Sequence, residues 1–360
     1  MGRVSTRRAA GGDDLADVSS LDEMLQLQAS GPEPVQPDVR RVIPKSLTGG
    51  DRVFIGVAWG IGVTVLCLIG SIGVFLGLQS LPTLRRYGLH FLTESRWLPE
   101  RNIIGISSVV VGTIVVALVA LVFAFPVALG AALWISEWAP AGIRSTAVSL
   151  VDLMAAIPSI VYGLWGFFLL EPRAIYVSRW LHQNLGWIPV FRVDADPHAA
   201  VWAQSRYVGS AFIAGMTVGM MVVPMACAVM REVFSQAPVG EREAALALGA
   251  TRWGMVQAVV LPFGKGGIIG GTMLALGRAL GETIAVVLII SPEFTIKARP
   301  LEVGTNTISA LIAGRFGEAT SAQLSALLTA GFVLFLITLV VNTAAAAIVA
   351  RSRSGAATEI

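Results

Sequence analysis

Charge is what this sequence has least of. Asp, Glu, Lys and Arg make up 14% of its 360 residues, where a soluble domain carries near a quarter. That scarcity excludes an ordinary water-soluble fold. The few charges nearly cancel, 26 basic against 23 acidic, and no basic cluster is interleaved with aromatics, so a nucleic-acid partner has no support. Cysteine is also scarce. Cys67 and Cys227 both fall inside apolar stretches, which excludes a disulfide framework or a CxxC metal site, and each reads as a small core residue. No G-x-x-x-x-G-K-[ST] string occurs; the nearest, Gly264-Lys265-Gly266, lacks the upstream Gly and the hydroxyl. A phosphate-cradling ATP loop is therefore not expected on this chain. The first apolar block, starting near Val53, lies too late and runs too long for a signal-peptide h-region.

What the sequence does have is apolar length. It is 55% hydrophobic with mean hydropathy +0.73. About 20 apolar residues cross a bilayer core of roughly 30 Å, and six blocks reach that length. They run from about Val53 to Leu78, within Ile103 to Ile135, from Thr146 to Leu170, Tyr207 to Met230, Gly266 to Ile290, and Gln323 to Ala350. In lipid only a helix satisfies its own backbone, so the expected fold class is all-α, a polytopic transmembrane helical bundle of six spans. Pro126 is expected to kink the second. Gly266, Gly267, Gly270, Gly271 and Gly277 would let the fifth approach its neighbours closely.

The expected organisation is a polar tail over 1–48, a first span with its outer loop over 49–102, five further spans over 103–350, and a short tail over 351–360. The N-terminal tail is too polar to bury a core; Leu21, Met24, Leu25 and Leu27 allow it one amphipathic turn. The segment 171–206, with Trp180, Trp187 and Trp202, is expected as a loop on the bilayer surface. Sidedness is not decided by charge. If both termini face the cytoplasm, eleven Lys and Arg flank the spans inside and eleven outside, where a cytoplasmic excess is the usual sign. An anionic cargo would account for so basic an outer face, and so would indifferent loop chemistry.

The segment after the fourth span, within a polar loop over 231–265, reads Glu241-Arg242-Glu243-Ala244-Ala245-Leu246-Ala247-Leu248-Gly249-Ala250-Thr251-Arg252-Trp253, and then Val259-Val260-Leu261-Pro262. It spells a short helix stopped by Gly249 in a left-handed cap, then a second helix leading to the next span. Ala244, Ala245 and Leu248 form a small apolar face suited to a groove on a soluble partner. This string resembles the EAA motif of ABC-importer permeases, E-A-A-x3-G-x9-I-x-L-P, with Val259 in place of Ile. The resemblance implies a type I importer permease fold. It also implies a cytoplasmic coupling loop in which Glu241, Arg242, Glu243, Ala244, Ala245, Leu248, Gly249, Arg252, Leu261 and Pro262 engage a separate ATPase, and hence both termini inside.

Charges at bilayer depth are costly and mark function by default. Arg278 and Glu282, four apart in the fifth span, would stack on one helix face and neutralise each other until an anion takes the Arg fork. A structural ion pair between helices is the alternative. Thr283 follows directly. Asp152 in the third span is expected either as a partner of Arg278 or as a contact at the cytoplasmic end. Beside it, Pro158 breaks a backbone bond while Ser159 and Tyr162 supply hydroxyls, as where a broken helix lines a transport path; a packing kink is the alternative.

The strings Ala155-Ala156-Ile157-Pro158-Ser159-Ile160-Val161-Tyr162-Gly163-Leu164-Trp165-Gly166 and Gly277-Arg278-Ala279-Leu280-Gly281-Glu282-Thr283 closely resemble phosphate-importer permeases. Asn306-Thr307-Ile308 and Phe316-Gly317-Glu318-Ala319 resemble the PstC type rather than the PstA type. The likeness covers about 50 to 350 and implies inorganic phosphate as cargo, a PstA-type second permease, two ATP-binding subunits carrying ATP and Mg, and an extracytoplasmic phosphate-binding protein. No cofactor or metal is expected on the chain itself. An ion-coupled secondary transporter would leave the 241–262 loop unexplained, and a phosphate sensor rests on the tail alone.

Overall fold

The structure is a computed structural model describing residues 49–194 and 206–353. The 1–48 tail, Trp202 and the end of the chain from 354 lie outside the described residues. Contacts divide the chain into one unit ending at Thr64 and another beginning at Val65. All the described residues of the first unit are helical, and the Thr64 hydroxyl donates to the Gly60 carbonyl at 2.8 Å.

Thirteen α-helices are described. They are α1 Gly49–Tyr87, α2 His90–Thr93, α3 Ser107–Leu133, α4 Ala141–Ala156, α5 Ser159–Trp165, α6 Glu171–Leu185, α7 Ala211–Ser235, α8 Val239–Ala247, α9 Arg252–Met255, α10 Leu261–Gly281, α11 Ile284–Ile289, α12 Ile308–Arg315 and α13 Ser321–Arg353. A two-stranded antiparallel ribbon, β1 Trp97–Leu98 with β2 Ile103–Ile104, follows α2. Six helical stretches are long and apolar enough to cross a membrane: Gly49–Tyr87, Ser107–Trp138, Ser159–Leu185, Ala211–Ser235, Arg252–Gly281 and Ser321–Ala350. The six-span, all-α expectation holds.

Three of these stretches contain wide turns. Ala139 N–H reaches the Trp134 carbonyl, Glu171 N–H that of Gly166, and Leu261 N–H that of Val256. Each is an i→i−5 bond; the last two join helices into a longer one, and the first ends the Ser107–Trp138 stretch. By contrast Pro126 lies inside α3 without ending it.

The core is built where α3 and α7 run together, with α10 against both. Both helices bury small residues there: Ala117, Ala120, Ala124 and Ala128 on α3 and Ala214, Val218, Val222 and Ala226 on α7 belong to one buried cluster. Small residues draw membrane helices close because, in lipid, packing rather than water exclusion holds them. The glycines of α10 act only in part as expected. Gly264, Gly267 and Gly271 press on Phe234, Val233 and Met230 of α7, whereas Gly270 faces open space.

Two spans differ from the hydropathy reading. The third is divided at Pro158, whose missing N–H and ring end α4 at Ala156; the helix resumes at Ser159 and runs to Leu185, taking in much of the expected surface loop. The fifth begins earlier, at Arg252, and stops at Gly281. Beyond α11 a long non-helical segment runs from Ile290 to Thr307, with a turn at its middle, tied to the start of α7 through Phe212 N–H to the Pro300 carbonyl and Val303 N–H to that of Arg206.

Lys297 fastens this segment, donating at 2.6 Å both to Glu293 and to the Val303 carbonyl. The Lys297 hydrogen bond holds the Glu293 carboxyl below its usual range, with a smaller contribution from Thr295. A carboxylate depressed in the folded state stabilises above its unfolded pKa, and that contribution is lost as pH falls through the folded value. Amide protection over 291–306, taken relative to the intrinsic exchange rate, is therefore expected to weaken as pH falls through the folded value of Glu293, and Lys297→Met should remove that acid dependence. Protection insensitive to acid in the unsubstituted protein would show that the pair does not fasten the segment.

Candidate functional site

The 239–262 segment forms as its composition predicts. α8 ends in a left-handed cap with Gly249 at φ 86°. Gly249 N–H donates to the Leu246 carbonyl and Ala250 N–H to that of Ala245, the paired bonds that satisfy a helix end. Thr251 opens α9, its hydroxyl accepting from Gly254 N–H at 3.1 Å. Glu241, Glu243, Ala244 and Leu248 are exposed, Leu248 to 90%, as is Arg252; Ala245 turns toward the core. Leu261 and Pro262 follow the wide turn Val256–Val260 inside the continuous Arg252–Gly281 stretch, where the proline has no N–H to give the turn before it.

Arg242 does not face outward with its neighbours. Its Nη1 donates to Glu137 Oε2 at 3.2 Å, and its Nη2 lies 3.2 Å from Glu137 Oε1 while donating to the Phe234 carbonyl. Glu137 is 105 residues away in sequence and was not among the expected residues. Its one signal was an acid following directly on the long apolar run 103–135, and no spacing rule connects it to Arg242.

Arg278 and Glu282 are not the stacked pair their spacing suggested. α10 stops at Gly281, and Glu282 adopts extended backbone, φ −66° and ψ 130°, so the helical i,i+4 geometry never reaches it. Its side chain turns instead to the next helix, where Oε1 accepts from Ala285 N–H at 3.2 Å in a buried position. Thr283, half-buried, donates to the Gly281 carbonyl at 3.2 Å. Arg278 is exposed, and among the described residues it enters no ion pair within 4.0 Å.

Asp152 is likewise placed by a different arginine. It lies 3.9 Å from Arg231 near the end of α7, just ahead of the 239–262 segment. Of its two expected roles, the pairing with Arg278 is thus replaced by a contact at that end. Arg231 itself was not foreseen as its partner.

The two helix breaks meet. α11 packs on α5, so closely that a Cβ on Gly163 would sit 2.9 Å from the Ala285 Cα. Tyr162 straps the first break, its hydroxyl donating to the Met154 carbonyl across Pro158 at 2.9 Å. Ser159, half-buried, is the first residue of α5. The structure therefore sets the helix after the 281–283 break against the helix after Pro158, with Arg278 in the last turn before the former, and pairs Asp152 with Arg231 instead. A cavity of about 350 Å³ beside the break is lined by Phe123, Met154, Ile157, Tyr162 and Met220, among others. Its walls are almost wholly apolar, so it cannot replace the hydration of an anion. The free guanidinium can.

Comparison with known proteins adds the following. The profile of the family described as binding-protein-dependent transport system inner membrane component matches residues 124–354. The phosphate transport system permease protein PstC of Xylella fastidiosa is 40% identical over 260 residues, 72% of this chain and 78% of its own length. The protein of the same name from Mycobacterium leprae is 38% identical over 302 residues, 83% of this chain and 92% of its own. Among solved structures, a chain of a bacterial ABC transporter involved in the import of the acidic polysaccharide alginate shares the fold. Its TM-score is 0.52 at 20% identity, covering 83% of this chain and 96% of that one.

Proposed function

The chain belongs to the family of binding-protein-dependent transport system inner membrane components, and from that premise we propose that it is one of two permease subunits of an ATP-driven importer for inorganic phosphate. It is a multi-pass inner-membrane protein with six spans. The second permease is of the PstA type, two ATP-binding subunits carry ATP and Mg, and an extracytoplasmic phosphate-binding protein delivers the anion. Both termini and the 241–262 loop face the cytoplasm.

The observation that carries the reading is Arg278. It is a cation without a carboxylate partner among the described residues, set in the last turn before the 281–283 break in a chain whose relatives are named phosphate permeases. An arginine fork offers two parallel N–H donors to two oxygens of a phosphate. Because Glu282 is turned away into its own cap, the fork is free before any anion arrives. Tyr162 and Ser159 add hydroxyls at the Pro158 break. Glu282 keeps α11 in place, and so supports the site without touching the anion.

Transport then needs the permeases to alternate their opening as the ATPase dimer closes and opens beneath them. The exposed face of α8 is where that motion enters. The test is the complex reconstituted in vesicles with the second permease, the ATPase and the binding protein. Phosphate is expected to accumulate inside and to stimulate ATP hydrolysis, and sulfate to do neither. Hydrolysis indifferent to phosphate would overturn the proposal, as would uptake by this chain alone.

A further inference from the structure

We infer that the wide turn Trp134–Trp138 at the end of α3 is the seat through which motion of the coupling loop reaches the second span, with Glu137 and Trp138 as the residues that position it. The inference rests on reading 241–262 as the coupling loop. Its observations are separate from that reading.

Both halves of the loop converge on two consecutive residues. From α8, Arg242 brings its guanidinium to both oxygens of Glu137, at 3.2 Å each, and also to the Phe234 carbonyl at the end of α7. From α9, Trp253 sets its ring 6.2 Å from that of Trp138, tilted by 34°. Behind Trp253 the loop is buried at Met255, Val256 and Val260. The outer face of α8, with Glu241, Glu243 and Leu248, is meanwhile exposed. The loop thus presents one side outward and hangs by the other from the end of α3.

Glu137 is the strong point of that attachment, because its side chain is 5% exposed and that of Arg242 20%. Separating a desolvated pair leaves an uncompensated buried charge. When a partner displaces α8, slipping past Glu137 is therefore the costly path, and moving the end of α3 with it is the easy one. The local backbone suits this. Ala139 N–H bonds the Trp134 carbonyl at 2.8 Å, and such one-turn widenings of a helix recur at functional sites. From there α3 runs along α7 and α10 through the core, so a shift at Glu137 is delivered to the centre of the bundle.

The experiment measures phosphate uptake and ATP hydrolysis in parallel in the reconstituted complex for wild type, E137Q, R242Q and the double variant. Glutamine keeps the shape of Glu137 and removes the charge. Each single variant is expected to lower the phosphate moved per ATP by about tenfold, and the double variant by about tenfold in total rather than a hundredfold, since partners in one contact are not additive. A wild-type ratio in E137Q would overturn the inference, as would additive losses in the double variant. An equal fall in uptake and hydrolysis would also overturn it, because it would make Glu137 a purely structural residue. If E137Q does not assemble, W138L carries the same expectation, and a wild-type ratio there overturns it. A wild-type complex that takes up no phosphate would instead sink the assignment of function.

Discussion

Arg278→Ala is expected to abolish phosphate uptake by the assembled importer while leaving assembly intact. The magnitude follows from the contact that is lost. Two charge-assisted hydrogen bonds at about 1.5–3 kcal/mol each correspond to roughly a hundredfold or more in rate. The structure sharpens the prediction in one respect. Had Arg278 been paired with Glu282, its removal would have stranded a carboxylate at bilayer depth and confounded the assay with misfolding. Glu282 instead accepts from Ala285 N–H, so Arg278→Ala orphans nothing. Arg278→Lys keeps the charge and loses the planar fork, and should give an intermediate rate. Glu282→Ala should behave differently, lowering thermal stability by about 1 kcal/mol through loss of a cap. Initial rates in vesicles decide the matter, with size-exclusion chromatography as the assembly control. Uptake by Arg278→Ala within about twofold of wild type, well inside the factor that a single hydrogen bond represents, would remove Arg278 from the pathway.

The six spans were legible because lipid imposes a simple demand: a long apolar stretch with its backbone bonds made internally. The 239–262 segment was legible for a local reason, since Gly249 is a cap residue whose consequences fall within a few positions. What hydropathy could not show was where a span breaks. Pro158 was legible as a break because proline lacks the N–H; no proline marks the Gly281–Glu282 step, and a window average does not register a backbone bond that fails to form. The error over Arg278 and Glu282 follows from this directly, because four-residue spacing carries meaning only while the helix continues, and Gly281 was the sign that it does not. Pairings such as Glu137 with Arg242 and Asp152 with Arg231 join distant parts of the chain. They exist only once α3, α4 and α7 have packed, and no local rule anticipates them.

Gly249→Val is the second large effect expected, and it separates the turn from the surface it presents. Gly249 sits at φ 86° with nothing within 4 Å of where a Cβ would stand, so a side chain meets no clash. Only the backbone objects. An L-residue in this left-handed region costs roughly 1–2 kcal/mol, and a branched Cβ is the least tolerant of it. That strain is comparable to what the two cap bonds from Gly249 and Ala250 return, at about 1 kcal/mol each, so the end of α8 should open. Leu248, 90% exposed immediately before the turn, would then point elsewhere, as would the start of α9. Phosphate uptake should fall about tenfold or more, the factor that 1.4 kcal/mol represents, while the ATPase subunits continue to hydrolyse ATP. Gly249→Asn supplies the control, since asparagine enters the left-handed region readily and should stay near wild type. If valine couples as well as glycine, the reversed turn is not what the ATPase reads. If asparagine fails as badly as valine, the requirement is for an absent side chain at the docked surface, and the partner must approach Gly249 itself.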